Sequence, residues 1–204
     1  MPRLSRTVYL LIGGNLALDF VNTIHTVDLP DPQDEWRSTG DVIAWARLAG
    51  ALSKAECQEL SRVAADNPRI AGLLLRRART LRGLIYEIFV AIVTRGWAPR
   101  PLLVRFNQFF SEIMWRTEIV RTEDGYVVAP VAGLDPASKL FGAVVKAAGE
   151  LLTSPDVRRV RQCGDAYCSW LFVDRSRTGR RRWCSMLLCG NRARVRAFRR
   201  RRAR

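Results

Sequence analysis

The chain is poor in histidine, in long apolar runs and, over its last quarter, in lysine and acidic residues. Its one histidine, His25, leaves at most a single candidate base for metal-hydrolase or Ser-His-Asp chemistry, so we expect no enzyme. The longest apolar run, residues 84–93, has ten residues and includes Glu87. A membrane span needs roughly 18 or more apolar residues. The run is therefore typical of a buried helix.

Two further sequence features are too short for the roles they suggest. Gly13-Gly14 is too brief for a phosphate-binding glycine loop. Arginines near the amino terminus precede an apolar run, residues 8–12, that is too short for a secretory signal. We therefore expect a cytoplasmic protein.

Positive charge is concentrated near the carboxyl terminus. The 204 residues include 34 Lys or Arg and 19 Asp or Glu, for a formal net charge of +15. Residues 158–204 hold 16 arginines, no lysine and two acidic residues, which leaves a net charge of only +1 on residues 1–157. A cationic block on a near-neutral body is typical of nucleic-acid binders. The planar fork of arginine suits phosphates and guanine edges, which favours nucleic acid over lipid.

The first three quarters of the chain have helical patterns with clear start signals. Ser53-Lys54-Ala55-Glu56 has the spacing of a capping box. Asn67-Pro68 predicts the start of a long core helix that ends at Arg95-Gly96. Pro99 opens another amphipathic helix, which ends near Trp115.

A change of pattern follows this helix. Glu123-Asp124-Gly125 lies between two β-rich segments and predicts a β-hairpin. Asp135-Pro136 then begins a last helix that ends before Ser154-Pro155. We take this Ser-Pro as the boundary between a mostly helical domain, residues 1–153, and a second domain, residues 154–204.

Four of the five cysteines form the pattern Cys163-x4-Cys168-x15-Cys184-x4-Cys189. Two close pairs with a short spacer are typical of a tetrahedral thiolate zinc site in which each pair forms one knuckle. A disulfide or unligated core thiols are the alternatives. We expect one structural Zn²⁺, because four protein ligands leave no open position for catalysis. The pattern around the lone Cys57 favours a core thiol.

Residues 170–174 predict a strand beside residues 160–161, and a helical pattern follows Cys189. Knuckle, hairpin, knuckle and helix is the order of a treble-clef-like finger. The predicted fold class is therefore mainly α, or α+β with a small β-hairpin. A helical amino-terminal domain is followed by a four-cysteine zinc finger.

The second domain resembles a known family. The residues that carry the resemblance are Cys163-Gly164, Cys168, residues 171–176, residues 181–186 and Cys189-Gly190-Asn191-Arg192. They closely resemble the CGNR zinc finger, named for its last four residues. Residues 13–23 resemble the opening of the ABATE domain that precedes this finger. The resemblance implies a stress-induced bacterial transcription regulator that binds DNA, with no target identified.

A helix after Cys189 would place arginines on one side and Val195 and Phe198 on another. We expect the arginine side to enter a major groove and the apolar side to pack on the zinc core. The loop of residues 175–182 adds arginines for phosphate contact. A solvated tail with only non-specific affinity is the alternative. The predicted DNA-binding residues are Arg175, Arg177, Arg180, Arg181, Arg182, Asn191, Arg192, Arg196, Arg199 and Arg200.

Polar residues also cluster near a predicted helix after Gly14. Asp19, Asn22 and His25 form a candidate effector pocket there, and internally satisfied polar groups are the alternative. Our first hypothesis is a regulator of duplex DNA whose helical domain senses a small-molecule effector or forms a homodimer. The second is an RNA- or ribosome-associated protein with the same finger, which exposed aromatics beside the arginines would favour. The third is an enzyme with its site around Asp19 and His25.

Overall fold

The computed structural model describes residues 9–25 and 33–202. Within this range the helices are α1 (Leu16–Val21), α2 (Thr39–Leu48), α3 (Lys54–Asp66), α4 (Pro68–Arg95), α5 (Arg100–Met114), α6 (Pro136–Thr153) and α7 (Asn191–Arg202). The strands are β1 (Ile24–His25), β2 (Gln33–Asp34), β3 (Thr117–Thr122), β4 (Gly125–Pro130), β5 (Val160–Gln162) and β6 (Leu171–Val173). Residues 1–8, which include the amino-terminal arginines that resemble part of a secretory signal, lie outside the described residues.

The strands pair in sequence order as three antiparallel hairpins, β1–β2, β3–β4 and β5–β6. A 3₁₀ turn (Pro155–Arg159) precedes β5, and a π-helical turn (Met186–Gly190) leads into α7. The prediction of a mainly α fold with small β-hairpins is confirmed. Within the described residues, no helix combines the length and apolar character that a bilayer crossing requires.

Side-chain caps fix where the helices begin. The Ser53 amide donates a 2.8 Å hydrogen bond to the Glu56 carboxylate, which completes the predicted capping box of α3. Asn67 caps α4, and that helix ends at Gly96, whose φ of 84° lies in the left-handed region that favours glycine. The sequence prediction missed α2, although Ser38 begins it with a second capping box.

The helical part of the chain comprises α1 to α6. Its core surrounds α4, whose residues Leu81, Ile85 and Phe89 are fully buried. Phe20 packs edge to face on Trp36, with ring centroids 4.8 Å apart. Cys57 is buried as predicted and lies in the same cluster. Burial of this set of large side chains is the main stabilising contribution to the fold.

The β5–β6 hairpin shares this core. Val160, Leu171 and Val173 of β5 and β6 belong to the same buried cluster as α1, α4 and α6. Asn22, buried at the end of α1, accepts a 2.9 Å hydrogen bond from the Leu171 amide and donates a 2.9 Å hydrogen bond to the Leu171 carbonyl. The Val173 amide donates to the Gly13 carbonyl at 2.8 Å. The division of the chain into two domains at the end of α6 stays a prediction.

Candidate metal centre and nucleic-acid interface

The spaced cysteines meet at one buried point. The sulfur atoms of Cys163, Cys168, Cys184 and Cys189 all lie within 4.8 Å of one another. The Cys184 sulfur is 3.7 Å from that of Cys168 and 3.5 Å from that of Cys189. A tetrahedral zinc with Zn–S bonds of about 2.3 Å has sulfur–sulfur edges of about 3.8 Å. The four cysteines are therefore positioned to bind one metal ion and fit a single structural Zn²⁺, and none of them forms a disulfide.

Crowding of the thiols explains why a cation is needed there. Hydrogen bonds from the Cys168 and Cys184 thiols lower the pKa of Cys163. The same contacts raise the pKa of Cys168 and of Cys184. Thiolates so close together repel one another, and a bound cation offsets that repulsion. Zn²⁺ held by these sulfurs would supply that positive charge and would link the two knuckles.

Aromatic and aliphatic side chains cover the metal centre. Trp170 and Phe172 are buried in the same cluster as the cysteines, and Trp183, Leu10 and Ile12 pack against it. The Trp170 indole nitrogen also donates to the Ile24 carbonyl at 3.1 Å. With this apolar shell around them, the four cysteines are at most 8% exposed. The shell also joins the finger to the amino-terminal segment.

A buried carboxylate ties α7 to the first knuckle. The Asp165 side chain is 0% exposed and accepts a 2.7 Å hydrogen bond from the Arg196 guanidinium. The Arg192 Nε atom lies 3.3 Å from the other carboxylate oxygen. Arg192 also donates a 3.0 Å hydrogen bond to the Cys189 sulfur, which offsets part of the negative charge of the thiolate cluster. Two of the predicted DNA-binding arginines thus have partners inside the finger.

The second acidic residue of the cationic block shapes the loop of residues 175–182. The Asp174 carboxylate is fully buried and accepts 2.9 Å hydrogen bonds from the Ser176 and Arg181 amides. The Arg181 guanidinium lies 4.3 Å from the Phe172 ring centroid and donates to the Cys184 carbonyl. The Arg181 side chain therefore points into the finger and not towards solvent. The other predicted arginines of this loop are exposed: Arg175, Arg177, Arg180 and Arg182.

The helix α7 presents a different face to solvent from the one predicted. Val195 and Phe198 are 41% and 60% exposed, so the expectation that they pack on the zinc core is wrong. The reason is that Asp165 draws Arg192 and Arg196 towards the knuckle, which turns the apolar pair outward. The predicted residues Asn191, Arg199 and Arg200 are exposed, as are Arg194, Arg201 and Arg202, which the prediction omitted.

Comparison with known families agrees with this geometry. Residues 159–202 match the model of the CGNR zinc finger. Residues 14–155 match the model of the ABATE domain, which is described as "Putative stress-induced transcription regulator". The chain belongs to the ABATE family. No curated protein matches it.

The candidate effector residues of the ABATE part mostly contact backbone. The Asp19 carboxylate accepts a 2.7 Å hydrogen bond from the Gly13 amide, and burial raises the pKa of Asp19 to about 6. Asn22 is held by the Leu171 backbone. The His25 backbone lies in β1, and its side chain lies outside the described residues. The effector pocket at these residues stays a prediction.

The ABATE part also contains an apolar cavity that the sequence prediction missed. It has a volume of about 400 Å³ and lies between α5, α6 and β4. Phe110, Ile113 and Val128 form part of its wall, and Lys146 and Asn107 are among its polar neighbours. These residues come from three separate segments of the chain. Periodicity within one segment therefore gave no signal for the cavity.

Proposed function

We propose that the chain is a zinc-dependent transcription regulator whose finger and α7 contact duplex DNA and whose ABATE part is regulatory. The observation that carries this proposal is the burial of both acidic residues of the cationic block. The Asp165 side chain and the whole of Asp174 are 0% exposed, and both carboxylates accept hydrogen bonds from within the finger. The surface that remains is cationic, as a surface that binds phosphates must be.

The exposed arginines support the same conclusion. The following exposed arginines of the finger form no ion pair within the described residues: Arg177, Arg180, Arg194, Arg199, Arg200 and Arg201. Exposed arginines are free to contact phosphate oxygens on either wall of a groove. In this proposal Arg181, Arg192 and Arg196 hold the finger together, and the exposed arginines contact the DNA.

The regulatory part of the proposal rests on the junction between the two parts. Asn22 joins α1 to β6 through two hydrogen bonds, and the two parts share one core. A small-molecule effector or a second copy of the chain that binds the ABATE part would therefore act on the packing of the finger. The apolar cavity of about 400 Å³ is a second candidate site for an effector, in addition to the pocket proposed at Asp19, Asn22 and His25.

Selection from genomic DNA tests the proposed function. The zinc-loaded full chain is incubated with fragmented genomic DNA and excess non-specific competitor at near-physiological salt, and the retained fragments are sequenced. We expect enrichment of a few promoter fragments that share a motif. An inverted repeat in that motif supports a homodimer. Uniform retention of all fragments, or retention of none, overturns specific regulation.

Exposed aromatic rings favour a second candidate, the binding of single-stranded RNA. The Arg196 guanidinium lies 5.3 Å from the Tyr167 ring centroid, and that of Arg202 lies 5.6 Å from the Phe198 centroid. Unpaired bases stack on such rings. If the chain binds single-stranded RNA, unlabelled single-stranded RNA should displace a bound RNA probe better than duplex DNA does. Tyr167→Leu should then weaken RNA binding and leave DNA binding unchanged.

A further inference from the structure

The outer face of α7 has an apolar centre. Val195 and Phe198 are three residues apart and therefore lie one above the other on the same side of the helix. Both are exposed. The small side chains of Ala193 and Ala197 and the half-buried Arg196 face the other way. An arginine-rich helix thus presents two apolar side chains, and not an arginine, at the middle of its solvent side.

Arginines border this centre on both sides. At 100° per residue, Arg194 falls on one side of the line through Val195 and Phe198, and Arg199 falls on the other. Arg202 continues the line and lies over the Phe198 ring, 5.6 Å from its centroid. Arg194 and Arg199 are exposed and form no ion pair within the described part of the chain. The face is therefore an apolar strip between two positive edges, with Arg202 at its carboxyl-terminal end.

This arrangement matches the cross-section of a DNA major groove. A helix in the groove directs its central side chains at base edges and its flanking side chains at the two phosphate walls. The major groove is about 12 Å wide and admits an α-helix. Arg194 and Arg199 would then meet opposite walls, and Val195 and Phe198 would meet the bases.

Apolar side chains can recognise only one feature of the groove floor. Of the four bases, thymine alone presents a methyl group there, at C5, and the other base edges present hydrogen-bond donors and acceptors. Phe198 and Val195 can bury a methyl group but cannot satisfy a polar base edge, so polar base edges are disfavoured beneath them.

We propose that Val195 and Phe198 read thymine C5-methyl groups in the major groove. This inference rests on the proposed function, because it assigns base recognition to the same helix. Arg194 and Arg199 hold the helix in the groove by phosphate contact, which carries no sequence information. Burial of one methyl group by an apolar side chain changes affinity about fourfold.

Removal of the methyl group alone tests the inference. The zinc-loaded full chain is titrated with duplexes of about 30 base pairs of alternating A and T, and with the same duplexes in which deoxyuridine replaces thymidine. We expect the uracil duplex to bind about 4-fold to about 15-fold more weakly, for one or two methyl contacts. A second pair compares alternating G and C with G and 5-methylcytosine, whose methyl group occupies the same groove position. We expect methylation to strengthen binding of that pair.

Variants assign the effect to the two residues. Val195→Ala with Phe198→Ala should bind the thymine and uracil duplexes equally, with zinc content and salt dependence unchanged. The matched control replaces two exposed apolar residues of the β3–β4 hairpin, Ile119→Ala with Tyr126→Ala, and should keep the discrimination.

The outcomes separate this inference from the proposed function. Equal binding of thymine and uracil duplexes by the unaltered chain, with strong salt dependence, overturns methyl readout and leaves DNA binding standing. Discrimination that survives in the Val195→Ala, Phe198→Ala variant also overturns it. Absence of binding to every duplex overturns both the inference and the proposed function.

Discussion

The Arg196 guanidinium donates a 2.7 Å hydrogen bond to the fully buried carboxylate of Asp165, which lies in the first knuckle of the metal centre. The contact joins residues 31 positions apart and fixes how α7 is rotated about its own axis. The rotation decides which arginines reach solvent. It therefore controls the interface that we propose for DNA.

Asp165→Asn should weaken DNA binding by about tenfold, although it adds one unit of positive charge. Charge alone would strengthen binding. The loss of the ion pairs to Arg192 and Arg196 instead leaves α7 poorly oriented, which costs more. Asparagine can still accept from the Tyr167 amide, so the zinc content should stay at one per chain. Fluorescence anisotropy with labelled duplex, together with zinc quantification, measures both. Tighter binding by the variant would contradict this role for Asp165.

Asn22→Ala should destabilise the whole chain by about 2–4 kcal/mol, because it leaves the buried amide and carbonyl of Leu171 without partners. Urea unfolding followed by circular dichroism measures the change in the free energy of unfolding. The exposed Gln108→Ala on α5 is the control and should change that free energy by less than about 0.5 kcal/mol. A similarly small effect for Asn22→Ala would show that the junction contributes little.

Loss of the metal should destabilise the helical part as well as the finger. Val160, Leu171 and Val173 belong to the core of the helices, so a disordered finger removes them from it. Cys184→Ser, which removes one ligand, should lower the melting temperature recorded by circular dichroism in the helical band. Cys57→Ser, outside the metal centre, should keep the zinc. A melting curve of the helices that is unchanged by Cys184→Ser would contradict a shared core.

Stability should fall as the pH rises through the pKa of Asp19. Burial raises that pKa from 3.8 to about 6, so the folded chain binds more protons than the unfolded chain between these values. The free energy of unfolding attributable to Asp19 should be about 1 kcal/mol higher at about pH 5.5 than at about pH 7.5. Asp19→Asn still accepts from the Gly13 amide and removes this term. The difference between the pH profiles of the two proteins separates the contribution of Asp19 from the titration of the single histidine and from the pH dependence of zinc binding. Parallel pH profiles would contradict a raised pKa.

Local signals predicted most of the fold. Asn67-Pro68 and Gly96 mark the ends of α4 because capping and left-handed turns depend on a few adjacent residues. The cysteine spacing likewise predicted the metal centre, since ligand geometry restricts the spacing within each pair. Ser38 and Asp41 carry the same kind of signal for α2.

Long-range contacts account for what local patterns did not predict. Helical periodicity groups Arg192 with Arg196 but leaves open which way that side of the helix points. Asp165, which settles the direction, is 31 residues from Arg196. Asn22 is 149 residues from Leu171, so its role as a link between the two parts has no local pattern. A signal for Asp165 and Asp174 did exist, because they are the two acidic residues in a block of 16 arginines. Such isolated acids are expected to pair inside the fold.

The most direct test of DNA binding by the finger compares two variants of equal charge. One replaces four exposed arginines of the finger by alanine: Arg177, Arg180, Arg194 and Arg199. The other replaces four exposed arginines of the helical part: Arg62, Arg69, Arg76 and Arg95. The affinity of each zinc-loaded protein for a duplex is measured between about 50 mM and about 200 mM salt. We expect the finger variant alone to lose affinity, and its slope of log affinity against log salt to become shallower by about 3 to 4. Equal losses in both variants would show that net charge, and not an interface on the finger, binds the DNA.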